Sequence, residues 1–78
     1  MDHINGELLQ RIIEKRKLNH VSLAKRLDVS RNTIGNLVNE RNPPSFKIMY
    51  SITRELNLTK AELLAVFFPN RKFPTNKK

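Results

Sequence analysis

Length, composition and charge restrict what this chain can be. Its 78 residues suffice for one domain, near the lower limit at which a single hydrophobic core folds without disulfides or metals. Because the chain has no cysteine, we expect its stability to come from helix packing and from a second subunit. No apolar run approaches the roughly 18 residues that cross a membrane, and the N-terminus lacks signal-peptide character. We therefore expect a cytoplasmic protein without membrane association.

The net charge of +8 is unevenly distributed. The stretch from Lys15 to Lys47 carries eight basic and two acidic residues, whereas the rest of the chain carries seven basic and five acidic ones. A local basic excess suits a phosphate backbone or an anionic membrane surface. Charge alone fits a generally basic soluble protein equally well, so the choice between these possibilities rests on the helix pattern inside this stretch.

The first predicted helix runs from about Asn5 to Lys17. Its apolar residues recur at helical spacing, and its charged residues lie on the opposite face. The apolar stripe consists of Ile4, Leu8, Leu9, Ile12 and Ile13.

Two short helical patterns joined by a very tight turn follow, within Leu18 to Val38. Asn19 and Ser30 are the predicted caps, and only Asp28 and Val29 separate the two patterns. So short a link fixes the second helix relative to the first. The outer face of the second helix carries residue types that hydrogen-bond to base edges and phosphates, which favours DNA binding. These residues are Arg31, Asn32, Gly35, Asn36 and Asn39.

The remaining chain predicts a loop, two further helices and a tail. A polar loop, 39–44, ends in two prolines, and Ser45 caps a fourth helix that Asn57 closes in the left-handed conformation. A capping box, Thr59 with Glu62, starts a fifth helix through Phe67, which Pro69 ends. The predicted inner face of the fourth helix is Phe46, Met49, Ile52, Thr53 and Leu56. These patterns predict an all-α domain of five helices over 1–69 and a flexible basic tail over 70–78.

The segment from Leu8 to about Phe67 resembles the Cro/repressor type of helix-turn-helix domain, the XRE-like family of phage and bacterial transcriptional regulators. The matching residues are Leu23 and Ala24, Val29 to Arg31, Thr33 and Ile34, and the loop that ends in proline. The resemblance implies a compact, lambda-repressor-like fold whose third helix, about 31–39, lies in the major groove of double-stranded DNA.

The resemblance also assigns roles to individual residues. Arg31, Asn32 and Asn36 occupy its base-reading positions. Positions that contact the DNA backbone in the family are matched by His20, Arg41 and Asn42. Lys47 lies where it can assist them. This chain departs from the family pattern at His20, where glutamine is common, and at Asp28, where glycine is usual. Asp28 must therefore accept the left-handed conformation or shift the turn. Gly35, inside the recognition helix, allows close approach of a thymine methyl or a phosphate, at a helix cost of roughly 1 kcal/mol.

The fifth helix carries five large apolar residues within six positions, more than one face of a short helix can bury. We therefore predict that part of this cluster forms a homodimer interface of Val66, Phe67 and Phe68, with Val66 and Phe68 pointing outward.

These observations predict a sequence-specific transcriptional regulator, a Cro-like repressor that binds a two-fold operator as a homodimer and is nucleoid-associated when bound. The chain leaves no room for a sensor domain, so no small-molecule effector is expected, and neither is a cofactor or metal. An enzyme is disfavoured because no catalytic arrangement or phosphate loop is present. Two alternatives stay open: the antitoxin and autoregulator of a toxin–antitoxin pair, and a protein-interaction module with the same fold.

Overall fold

The computed structural model describes residues 4–69, which form five α-helices and confirm the predicted all-α architecture. The predicted basic tail, 70–78, lies outside the described residues. Within residues 4–69, no helix has both the length and the apolar character needed to cross a membrane. The helices are α1 (Gly6–Lys15), α2 (His20–Leu27), α3 (Arg31–Val38), α4 (Phe46–Glu55) and α5 (Lys60–Phe67).

One hydrophobic core holds the five helices together. Helix α1 packs against α3 and α5, and α2 packs against α3 and α4. Burial of such side chains is worth about 1.5–3 kcal/mol each, which makes the core the main stabilising feature of a chain this small. Its fully buried large residues are Leu9, Ile13, Leu23, Ile34, Ile52, Leu56 and Val66.

Every helix begins at a polar side chain that accepts a hydrogen bond from the first turn, which satisfies an otherwise unpaired amide. The four predicted caps are confirmed, and Asn5 proves to be the cap of α1 rather than its first residue. The caps are Asn5, Asn19, Ser30, Ser45 and Thr59.

The predicted capping box of α5 is also confirmed. The Thr59 amide donates to Glu62 Oε1 (3.0 Å), and the Glu62 amide donates to Thr59 Oγ1 (3.1 Å). This backbone hydrogen bond, aided by Arg16 at 3.3 Å, lowers the pKa of the Glu62 carboxyl from its usual value. At pH values above the usual pKa of a glutamate, the ionised carboxylate therefore stabilises the fold. This contribution is lost as the pH falls through the lowered pKa.

Helices α1 to α4 end in the same backbone motif, in which a residue other than glycine adopts the left-handed conformation. In α1, the Leu18 amide donates to the carbonyl of Ile13 and the Lys17 amide to that of Glu14, the Schellman pattern. The sequence indicated this conformation at Asp28 and Asn57 but not at Lys17 or Glu40. The four φ angles are 61° at Lys17, 58° at Asp28, 60° at Glu40 and 52° at Asn57.

Two expectations about side-chain direction are wrong. Phe46 was expected on the inner face of α4, yet it is 85% exposed, because in the first turn of α4 it lies at the rim of a surface groove. Val66 was expected to point outward, yet it is fully buried. The Asn5 amide donates to the Val66 carbonyl, so the segment leading into α1 covers this part of α5.

Candidate nucleic-acid interface

The turn between α2 and α3 fixes the direction in which α3 projects. Asp28 has φ 58° and ψ 45°, so it accepts the left-handed conformation, the first of the two outcomes foreseen for it. The Val29 amide donates to the Ala24 carbonyl (3.0 Å), which closes the end of α2. Ser30 then caps α3 by accepting a hydrogen bond from the Thr33 amide (3.2 Å). A backbone hydrogen bond therefore holds the end of α2, and a side-chain cap holds the start of α3.

The inner face of α3 is locked into the core at both ends. Ile34 is fully buried, and Leu37 is nearly so. At the C-terminal end the Val38 carbonyl lies so close to Gly6 that a Cβ on residue 6 has no room. The Glu40 carboxylate accepts a hydrogen bond from the Gly6 amide (3.0 Å). The start of α1 thus anchors the end of α3, a contact that the sequence analysis missed.

The outer face of α3 is open at its N-terminal half. Arg31 and Asn32 are exposed, and their side chains make no hydrogen bond or ion pair with any residue of the described part. A Cβ built on Gly35 would meet no atom within 4 Å. This face therefore presents hydrogen-bonding groups and free space in the direction away from the core.

The second half of α3 and the following loop place several polar side chains close to one another. Arg41 Nη1 lies 3.5 Å from Asn36 Oδ1, at the outer limit of a hydrogen bond. Asn36 and Asn42 also line a shallow groove of about 130 Å³ between α3 and the loop. Lys47 is exposed in the first turn of α4, directly before Ile48, which lines the same groove. The structure therefore brings Asn36, Arg41 and Asn42 together, and Lys47 follows at the start of α4.

The first turn of α2 exposes unpaired backbone donors. Asn19 Oδ1 accepts a hydrogen bond from the Ser22 amide (2.8 Å), whereas the amides of His20 and Val21 find no acceptor within residues 4–69. Free amides at a helix N-terminus suit an anionic oxygen. The half-buried His20 ring places its Nε2 2.6 Å from Gln10 Oε1 of α1. Sequence reasoning missed Gln10, because this contact joins two helices and no periodicity signals it.

The predicted contact residues carry positive charge that the rest of the described domain leaves unpaired. Arg31, Arg41 and Lys47 are exposed, and none of them forms an ion pair within residues 4–69. Glu40, the acidic residue next to Arg41, is instead occupied by the Gly6 amide. This arrangement suits a phosphate backbone. Within the same residues, no group of three or more histidine or acidic side chains is placed to hold a metal ion.

A helix pair joined by a tight turn, whose second helix has a polar and exposed outer face, inside a five-helix domain defines a helix-turn-helix DNA-binding domain. The family model HTH_3, Helix-turn-helix, matches residues 9–63, well over half of the chain. The chain therefore belongs to the XRE-type helix-turn-helix family of DNA-binding regulators, as its resemblance to the Cro/repressor type indicated. No curated protein matches it.

Proposed function

We propose that this protein is a sequence-specific transcriptional repressor of the Cro type, which reads double-stranded DNA with α3 in the major groove. The observation that carries the proposal is the division of α3: Ile34 and Leu37 are buried, whereas Arg31 and Asn32 are exposed and bond to no described residue. Side chains in this position reach base edges when the second helix of the motif enters the groove. A DNA target implies action in the bacterial cytoplasm, on the nucleoid, and repression follows from operator occupancy without a small-molecule effector.

Three side chains of α3 read bases in this proposal. Arg31 donates to O6 and N7 of a guanine, and Asn32 or Asn36 pairs with N6 and N7 of an adenine. Each such pair is worth about 1–3 kcal/mol of discrimination. Asn36 can exchange its 3.5 Å contact with Arg41 for a base, because a bond at that distance is weak.

The remaining contacts go to the DNA backbone. His20, together with the free amides at the start of α2, holds one phosphate, and Arg41 and Asn42 hold another with the assistance of Lys47. The missing side chain at Gly35 admits a thymine methyl or a phosphate close to the helix. Such contacts fix register without reading sequence and make affinity fall with salt.

A second copy of the chain is the proposed occupant of an apolar groove between α4 and α5. The groove measures about 270 Å³, and its lining includes no charged residue. Since the chain carries +8, two copies repel each other, and contact is least unfavourable where the facing surfaces carry no charge. Phe46 (85% exposed) and Tyr50 (64% exposed) stand at this groove, so a two-fold arrangement lets each copy insert an aromatic ring into the other. The lining residues are Phe46, Met49, Tyr50, Thr53, Leu63, Phe67 and Phe68.

Of the three residues predicted for this interface, Phe68 is half-buried and lines the groove, whereas Phe67 lines it but is only 4% exposed and belongs to the core. The exposed Phe46 and Tyr50 take the place of the buried Val66. A homodimer of this kind places its two recognition helices on half-sites about 10 base pairs apart.

Selection of bound sites from a random double-stranded DNA pool tests the proposed function. We expect the wild type to enrich a two-fold site, and Arg31→Ala to lose preference at one position of each half-site. Arg11→Ala is the matched control, since Arg11 is an exposed arginine on α1 that pairs with Glu7. Failure of the wild type to enrich any sequence contradicts the proposal and favours the protein-interaction alternative.

Sedimentation tests the proposed dimer. Phe46→Ser removes an exposed ring from the groove and should shift the protein toward monomer, whereas Val21→Ser, an exposed apolar residue outside the groove, should leave the distribution unchanged. A wild type that stays monomeric at high concentration, both free and on its selected site, contradicts the dimer.

A further inference from the structure

A chain of three side chains links α1 to the first residue of α2. Gln10 Nε2 donates to Glu14 Oε2 (2.8 Å), and Gln10 Oε1 lies 2.6 Å from His20 Nε2. The first pair lies within α1, four residues apart, and the second joins α1 to the start of α2. The contact therefore holds the His20 ring at the helix end that we assign to a DNA phosphate.

The Glu14 carboxylate determines where the hydrogen lies in the bond between Gln10 and His20. An ionised Glu14 only accepts hydrogen bonds, so the NH₂ group of Gln10 must face it. The carbonyl oxygen of Gln10 then faces His20, and it also only accepts. His20 Nε2 must therefore carry the hydrogen of this bond.

This assignment restricts what the neutral ring can offer to DNA. With its hydrogen on Nε2, a neutral imidazole has a bare lone pair on Nδ1. Nδ1 of His20 makes no hydrogen bond within the described residues, and a phosphate oxygen provides only acceptors. The neutral ring held by Gln10 thus has no free donor for a phosphate, whereas the doubly protonated ring has one at Nδ1.

We propose that Gln10, oriented by Glu14, is a positioning residue that couples the phosphate contact of His20 to proton uptake. The His20 ring keeps its Nε2 hydrogen bond to Gln10 and takes up one proton at Nδ1 when it binds a DNA phosphate. The inference rests on the proposed function and adds a regulatory property to it. Complex formation therefore consumes a proton, so affinity for DNA falls as pH rises through the range in which imidazole titrates.

The surroundings of the ring fit this coupling. The lining of the shallow groove at the ring consists of Gln10, Glu14, Leu18, Asn19, His20 and Val21, so among the described residues that line it Glu14 is the one titratable group besides His20 itself. A phosphate oxygen bound at the start of α2 brings a negative charge next to the ring and supplies the acceptor for the proton at Nδ1.

The test measures the affinity for the selected site between pH 5.5 and 8 at constant ionic strength, in a His3→Gln background that leaves His20 as the single histidine. We expect affinity to fall about tenfold per half-site over this range. His20→Gln, which restores the residue common in the family, should bind with little pH dependence. Gln10→Leu should also lose the pH dependence, because Nε2–H then becomes free to donate to the phosphate without proton uptake. Arg11→Ala, a neighbour that does not touch His20, should behave like the parent.

A merely structural role for Gln10 gives a different pattern, in which Gln10→Leu weakens binding by one factor at every pH. That pattern, or a parent whose affinity does not change with pH, overturns the inference and leaves the proposed function intact. Absence of specific DNA binding at any pH contradicts both.

Nitrogen-15 chemical shifts of the free protein test the network separately from DNA binding. At pH 8 the parent should show the Nε2–H tautomer of His20, and Gln10→Leu should reduce that preference. An Nδ1–H tautomer in the parent overturns the inference whatever the binding data show.

Discussion

The eight residues of α3 divide into a buried inner face and an outer face that is exposed at Arg31 and Asn32. On the inner face, Ile34 and Leu37 are buried and the helix end touches Gly6 and Glu40. On the outer face, Arg31 and Asn32 are exposed, and their side chains form no hydrogen bond or ion pair with a described residue. Packing therefore fixes where the helix points without occupying the groups that would read DNA. Stability and proposed recognition can therefore be altered separately within two turns of helix.

The two glycines of the chain show the same contrast. Gly6 has no room for a side chain because the Val38 carbonyl lies against it, whereas Gly35 has no neighbour within 4 Å of a built Cβ. Neither glycine has a positive φ, so the difference between them is one of space rather than of backbone conformation. A methyl group added at each position therefore tests this difference in space directly.

The largest expected effect is that of Gly6→Ala. The added methyl group must push α1 away from the end of α3, and overpacking of this kind costs about 1–3 kcal/mol of unfolding free energy. That is a large share of the roughly 5–15 kcal/mol that stabilises a small domain. Urea unfolding with the wild type as reference measures the loss. An unchanged midpoint would show that the two helices separate at no cost.

Gly35→Ala should have a smaller effect of opposite sign. Alanine is favoured over glycine within a helix, and the site is empty, so we expect the free energy of unfolding to rise by about 1 kcal/mol. If DNA approaches the helix closely here, the same variant binds its selected site more weakly despite its higher stability. Unfolding curves and binding titrations on one preparation separate the two results. A loss of stability would contradict the open outer face.

Asp28→Gly should have the smallest effect. The left-handed conformation costs most residues about 1–2 kcal/mol, and glycine removes that cost while losing more chain entropy on folding. We expect a net gain of roughly 0.5 kcal/mol, with the preferred DNA sequence unchanged because the turn geometry is kept. Lys17→Gly, at the equivalent end of α1, is the control for the stability gain. A changed sequence preference would show that Asp28 does more than close a helix.

The sequence predicted the helices and their ends well, because these depend on local chemistry. Caps such as Ser30 and Thr59 hydrogen-bond three residues ahead, and Asn57 tolerates the left-handed conformation on its own. The first helix was predicted as Asn5 to Lys17 and is Gly6–Lys15, since Asn5 is a cap and Lys17 has already left the helix. The recognition helix, predicted as about 31–39, is Arg31–Val38.

The errors arose where a helix had to be placed against its neighbours. Helical spacing puts Phe46 in one stripe with Met49 and Thr53, but it does not show that the first turn of α4 lies at the edge of a groove. The same spacing could not reveal that the segment at Asn5 crosses α5 and covers Val66. The contacts of Gly6 with Glu40 and of Gln10 with His20 were missed for the same reason, since the first joins α1 to the loop after α3 and the second joins α1 to α2.

A double-mutant cycle between Arg31 and the guanine it is proposed to read tests whether the outer face of α3 reads the DNA sequence. Wild type and Arg31→Ala are each titrated with the selected site and with the same site carrying adenine at that position. We expect a coupling free energy of about 1–3 kcal/mol between Arg31 and the guanine. A coupling near zero, in which the two losses simply add, would contradict the claim that the outer face of α3 reads the DNA sequence.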